Sequence, residues 1–145
     1  MGIPDNATAV HNFELKRYMG TWYEVARLDH RFERGLSQVH AHYSMRDDGG
    51  VRVINTGYSQ KDDEWERSEG RAYFVDKSDI GRLKIAFFGP FYGAYNIVAL
   101  DKEHYSHAMV VSANTSYLWI LARQRTFDSK VLKQLVARAG ELGFD

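Results

Sequence analysis

Leu15-Lys16-Arg17-Tyr18-Met19-Gly20-Thr21-Trp22-Tyr23-Glu24-Val25-Ala26-Arg27 changes its period at Gly20, and that change decides the architecture. Leu15, Tyr18 and Met19 stand at i, i+3 and i+4, the spacing of one helical turn. Gly20 stops that turn just before a run that reads as a first strand, Thr21–Arg27. A short helical plug therefore precedes a strand. Strand-like runs then recur at Val39–Met45, Val51–Tyr58, Ser68–Val75, Leu83–Phe88, Tyr95–Leu100, Ala108–Ser112 and Tyr117–Arg123, which makes eight with the first.

The connections alternate in character. Asp47-Asp48-Gly49-Gly50 has the chemistry of a tight hairpin turn, and Asp76–Gly81 and Asp101–Tyr105 are also short and polar. Asp29–Gln38, Ser59–Arg67 and Phe88–Gly93 are longer or more irregular. If consecutive strands are antiparallel, the two kinds fall at opposite ends. The chain is thus predicted to be all-β, an eight-stranded antiparallel up-and-down β-barrel plugged at one end and dressed with loops at the other. After Arg123 the period returns to helical: Asp128 or Ser129 can cap a helix whose Val131, Leu132, Leu135, Val136, Ala139 and Leu142 form an apolar stripe ending at Gly143. This one C-terminal helix is expected to pack on the barrel's outside.

The 145 residues suit one domain, read as residues 12–145 behind a flexible segment, 1–11. Lys plus Arg number 19 and Asp plus Glu number 19, so no summed field draws the chain to nucleic acid or acidic membrane. With no cysteine there is no disulfide framework, thiolate nucleophile or cysteine metal site. No apolar run approaches the ~20 residues of a membrane span, and Met1-Gly2 with the polar Pro4–Thr8 lacks the regions of a signal peptide. As it stands the chain reads as soluble. Aromatic residues are 14% of it, which suits strands and a wide cavity lining.

Chemistry-bearing patterns are sparse. His40 and His42 share one face of a strand, as His104 and His107 could share a site, but neither pair has an evident third ligand, and no metal site is expected. The more apolar alternating set, Val39, Ala41 and Tyr43, puts those histidines outside. Asp62-Asp63-Glu64 reads as a solvated run. Nucleophile-elbow, zinc-helix, phosphate-loop and dinucleotide motifs are absent, so neither a catalytic residue nor a cofactor is expected.

What remains is the inside of the barrel. Alternation suggests inward, ligand-facing sets of Val51 and Val53; Ala72 and Phe74; Leu83, Ile85 and Phe87; and Tyr117, Trp119 and Leu121. On the sixth and seventh strands both faces are mixed. Asn96, Val98, Met109 and Val111 are taken as inward, with Tyr95, Ile97, Ala108 and Val110 an almost equal alternative. Periodicity leaves open whether such a barrel is packed solid or hollow.

The same stretches resemble a known family. Gly20-Thr21-Trp22-Tyr23 after a short helix resembles the first lipocalin signature. Asp101 and Tyr105 resemble a loosened second one, with Leu100 where threonine is usual, and Arg123 resembles the third. The likeness is closer to bacterial outer-membrane lipocalins and, more distantly, apolipoprotein D. It is carried by Tyr23–Gly35, Phe87–Gly93 and Tyr117–Leu121, within a match of about residues 12–145. Two departures are the absence of a lipoprotein signal with its acylated cysteine, and an end at Asp145 where a short ninth strand usually follows.

The resemblance implies a hollow cup that binds and carries a small hydrophobic ligand, a fatty acid or lysophospholipid, without catalysis. Gly20, Trp22, Tyr23, Asp101, Tyr105 and Arg123 would be structural. Arg31, Phe32, Arg34 and Phe91 would form the entrance. An even number of strand passes returns Arg123 to the end where Trp22 starts, so a guanidinium is expected over the indole. The family also implies the periplasmic side of the outer membrane, reached only through a lipid anchor that this chain lacks, and a monomer or weak homodimer. Two competing readings are an engineered cup for a synthetic chromophore and a lipid-modifying enzyme. The family's prostaglandin-isomerising enzymes resemble thiol catalysts, which a chain without cysteine cannot imitate.

Overall fold

The computed structural model describes residues 2–27, 36–59, 61–87, 91–114, 117–124 and 129–144, with the backbone alone at 36 and 37. Its strands are β1 (Gly20–Arg27), β2 (Leu36–Met45), β3 (Val51–Ser59), β4 (Glu64–Phe74), β5 (Arg82–Ala86), β6 (Gly93–Leu100), β7 (His107–Val111) and β8 (Leu118–Ala122). Each pairs antiparallel with the next and β8 closes onto β1, giving one closed barrel. Helix α1 (Leu15–Tyr18) plugs the end where β1 starts, and α2 (Ser129–Glu141) follows the last strand. At the turn from plug to strand, Gly20 has φ +101°, a left-handed conformation that a side chain would strain.

Two strands start three or more residues before their expected runs. β4 begins at Glu64, inside a stretch read as a connection, because Glu64-Trp65-Glu66-Arg67 is exposed throughout and carries no burial alternation. Backbone pairing with β3, from Ser59 opposite Glu64 to Val51 opposite Ala72, makes it a strand. β2 likewise starts earlier, at Leu36. Its register shifts between Ser37 and His40, where Gln38 has φ +55°.

The core has two layers. Inside the barrel at the closed end, Phe13, Tyr18 and Trp22 pack with Tyr43, Val51, Val53, Ala72, Leu83 and Ile97. Outside, Leu135, Ala139, Leu142 and Phe144 pack on Met109, Val111, Leu118 and Ile120, with Val98 at the margin. Thus α2 covers the outer face of β6 to β8, as the helix was expected to do, although Val136 stays 54% exposed and is not part of the buried stripe.

That cover corrects the choice of faces on β6 and β7. Val98, Met109 and Val111 point outward into the layer beneath α2. Asn96 also points outward, where its Nδ2 donates to the carbonyls of Gly2 (3.0 Å) and Ser112 (3.2 Å). The inward residues are Tyr95, Ile97, Ala108 and Val110. A helix on one side and a cup on the other make both faces of these strands apolar, so alternation has little to report there. Residues read as a flexible segment have partners as well: the Val10 amide donates to the Ile97 carbonyl (2.9 Å), the Gly81 amide donates to the Val10 carbonyl (2.9 Å), and Ala7 and Ala9 are buried.

Candidate functional site

Strand direction fixes the two ends. β1, β3, β5 and β7 run from the closed end to the mouth and the even strands run back, so Trp22 and Arg123 meet at the bottom. The Arg123 guanidinium carbon lies 3.9 Å from the Trp22 ring centroid. Arg123 also donates to three backbone carbonyls, those of Tyr105 (3.0 Å), Thr21 (3.1 Å) and Arg17 (2.7 Å). The fully buried Trp22 donates its Nε1 hydrogen to the Tyr18 carbonyl at 2.8 Å. One cation thereby ties α1, β1 and the β6–β7 connection together.

Asp101 and Tyr105 organise that connection. The Tyr105 amide donates to the Asp101 carbonyl at 2.7 Å, and the Asp101 carboxylate accepts from the Ser106 hydroxyl, which lowers its pKa. Tyr105 is buried, stacked on Phe13 with centroids 6.3 Å apart, and its hydroxyl accepts from the Glu14 amide at 3.0 Å. Tyr23 instead faces outward opposite His40, with ring centroids 5.7 Å apart.

Above this floor the barrel is hollow. A cavity of about 800 Å³ opens toward the mouth, within the ~300–1,000 Å³ of small-molecule sites. Ile85, Phe87, Tyr117, Trp119 and Leu121 line it, as the alternation of their strands indicated. Phe87 lies across Gly70, where a Cβ would come within 2.7 Å of its ring, so glycine on β4 makes room for an aromatic wall. Val51, Val53, Ala72, Phe74 and Leu83 also face inward, but lower down, in the packed core beneath the cavity. The rings of Phe13, Tyr18 and Trp22 fill that level, which corrects their reading as ligand-facing residues. Phe91 stands at the mouth, 82% exposed, while Arg31, Phe32 and Arg34 lie outside the described residues.

Several lining residues were missed by sequence reasoning. Asn55, Glu66 and Ser68 make a polar wall on β3 and β4; they hold the inward parity of Val53 and Ala72, and only the search for apolar sets passed them over. Glu24 lines the cavity too, with its side chain only 7% exposed and paired to Arg27 at 2.9 Å. A register shift between Glu24 and Ala26 lets Arg27 lie opposite the cavity-lining Trp119 on the inner face. Such a shift has no clear mark in sequence. The cup is therefore polar on one side, whereas Trp22, Tyr43, Tyr95, Val110 and Leu121 make the rest aromatic or aliphatic.

Among the described residues, no histidine belongs to a group with metal-ligand proximity. His42 Nδ1 lies 3.0 Å from the Thr21 hydroxyl, and the His40 ring sits by Tyr23 and Trp65. Among the described residues, the group with metal-ligand proximity is Asp62, Glu64 and Glu66, all exposed. None of the helices is long and apolar enough to cross a membrane among the residues described.

Comparison with known proteins agrees with this geometry. Residues 13–145 match the family model of the lipocalin-like domain. The chain is 52% identical over 145 residues to the outer membrane lipoprotein Blc of Vibrio cholerae, covering 100% of this chain and 85% of that protein. It is 54% identical over 142 residues to Blc of Escherichia coli K12, covering 98% and 80%. Rat apolipoprotein D is 34% identical over 120 residues, covering 77% of this chain and 61% of that protein. Insecticyanin from the tobacco hornworm Manduca sexta shares the fold at a TM-score of 0.76 and 19% identity, covering 97% of this chain and 81% of that one. The signatures, the closed barrel and these likenesses agree, and the chain belongs to the lipocalin family, in its bacterial and apolipoprotein D-like branch.

Proposed function

We propose that the protein binds and carries a single-chain amphiphile, a fatty acid or lysophospholipid, with the tail down in the cup and the headgroup at the mouth. The observation that carries this reading is a hollow cup of about 800 Å³, closed below, whose wall is mostly aromatic and aliphatic with Asn55, Glu66 and Ser68 as a polar strip on one side. The Glu24–Arg27 pair offers both signs of charge to a headgroup. Arg31, Phe32, Arg34 and Phe91 remain the proposed entrance. Lipocalins bind small hydrophobic ligands in general; this tail-down arrangement is the finer reading for this chain.

Magnitudes suit a reversible carrier. Burying a sixteen-carbon tail at ~0.8 kcal/mol per methylene gives a gross gain of roughly 12 kcal/mol. Association and ordering remove several kcal/mol, leaving an affinity of about micromolar or somewhat tighter. We place its work on the periplasmic side of the outer membrane, by likeness to the lipoprotein relatives, and read it as a carrier rather than an enzyme.

Native mass spectrometry of protein purified without detergent tests this. A population heavier by one fatty acid or lysophospholipid, released unchanged on denaturation, is the expected result. Protein that stays ligand-free after incubation with both lipids contradicts the reading, and release of a chemically altered lipid favours the enzyme.

A further inference from the structure

Phe91 is an apolar ring left 82% exposed beside a cavity that it also lines. It stands at the low side of the mouth. Among the described residues, β4 pairs with β5 only from Arg71 opposite Ala86 to Phe74 opposite Leu83, whereas residues 64–70 pair with β3 alone. The wall therefore steps down from β4 to the start of β6, where Gly93 lies opposite Ile85. So exposed a ring has little packing of its own to hold it at that step.

The next residue, Tyr92, is gripped on the outer wall. Arg71, Tyr73 and Lys84 alternate with the inward Ala72, Leu83 and Ile85, so all three face outward. The Arg71 Nε donates to the Tyr92 hydroxyl at 3.0 Å, and a guanidinium only donates, so the direction of this bond is fixed. The Lys84 ammonium lies 4.8 Å and the Arg71 guanidinium carbon 5.3 Å from the Tyr92 ring centroid. The Tyr73 ring meets that of Tyr92 edge-on, with centroids 6.4 Å apart. Two strands thus hold one phenol. Tyr92 outside and the cavity-lining Phe91 inside continue the alternation of β6, in which Tyr95 is inward.

The geometry points to Tyr92 as a positioning residue: clamped by Arg71 and Lys84 outside the barrel, it holds Phe91 over the low side of the mouth, where the ring covers a bound amphiphile and slows its release. This rests on the carrier reading and assigns the control of its release. A ring exposed to water in the empty cup buries part of its surface on an acyl chain below it, and that gain opposes departure. Without the clamp the same ring would have to be ordered at each binding event, which costs part of the gain.

Release of a dansyl-labelled fatty acid into excess phosphatidylcholine vesicles, followed by stopped-flow fluorescence, tests the clamp through a double-mutant cycle. Phe91→Ala, which removes the cover, and Tyr92→Ala, which frees it, should each speed release about fivefold, with capture changed by less than about twofold. The two together should release no faster than Phe91→Ala alone, because Tyr92 acts through Phe91. Unchanged release from either single variant, or effects that multiply in the double variant, overturn the proposal. If Tyr92→Ala fails to fold, Lys84→Gln takes its place in the cycle: faster release is expected in the wild-type background and no change in Phe91→Ala, and an equal effect in both backgrounds, or none in either, overturns it. Failure of the wild type to bind the probe removes the carrier reading itself, whereas saturable binding with multiplying or absent effects removes the clamp alone.

Discussion

The wall made by β3, β4 and β5 and the wall made by β6, β7 and β8 belong to one barrel, yet they divide their two faces differently. On β3 and β4 the outer face is solvated and charged, with Arg52 paired to Glu69 at 2.8 Å, while Val51, Val53 and Ala72 are buried within. On β7 all four residues from Ala108 to Val111 are buried, alternately against the cup and against α2. A period of two reports which side of a strand is wet. Where neither side is wet, the period vanishes although the pairing is the same.

The largest test of this contrast uses two neighbours on β8. Ile120 is 1% exposed in the layer under α2, and Leu121 faces the cavity. Ile120→Asp places a carboxylate in a packed layer and should cost more than about 4 kcal/mol in urea denaturation. Leu121→Asp should cost clearly less, because the cup can admit water. Equal losses would erase the distinction between the two faces.

Met109 sharpens the corrected parity. It is fully buried beneath α2, so Met109→Ala should cost about 3 kcal/mol and leave affinity for a fatty acid within about twofold. A loss of affinity without a loss of stability would return Met109 to the cup. Arg123→Ala comes next: it removes one cation–π contact and three carbonyl partners at the closed end. A drop of about 2 kcal/mol is expected, with the ranking of ligands unchanged by competition. An altered ranking at an unchanged melting temperature would contradict its structural role. Smallest is Arg52→Ala on the solvated wall, where both partners are about half exposed and the urea midpoint should barely move.

The same contrast explains what could be read in advance. The eight strands, the plug, the helix and the meeting of Trp22 with Arg123 follow from period, turn chemistry and an even count of passes. So do the lining positions on and just before β8, since Tyr117, Trp119 and Leu121 alternate with residues claimed by the helix. The depth of a residue along its strand does not appear in alternation, which is why Val51 and Leu83 are inward yet lie below the cavity. Asn55, Glu66 and Ser68 had the right parity but the wrong chemistry for an apolar search. Glu24 shares the inward parity of Trp22 and was likewise passed over as charged, Arg27 needed a bulge, and Tyr43 with Tyr95 needed two distant strands to converge.

Titration of a dansyl-labelled fatty acid into the wild-type protein and Leu121→Asp at neutral pH tests the central claim, that the inner face of this barrel is a hydrophobic carrier site. The wild type should saturate at one ligand per chain with an affinity of about micromolar. Leu121→Asp, folded by circular dichroism, should lose the signal, because a desolvated carboxylate beside an acyl chain must either take up a proton or hold water. No saturable binding by the wild type, or undiminished binding by Leu121→Asp, would contradict it.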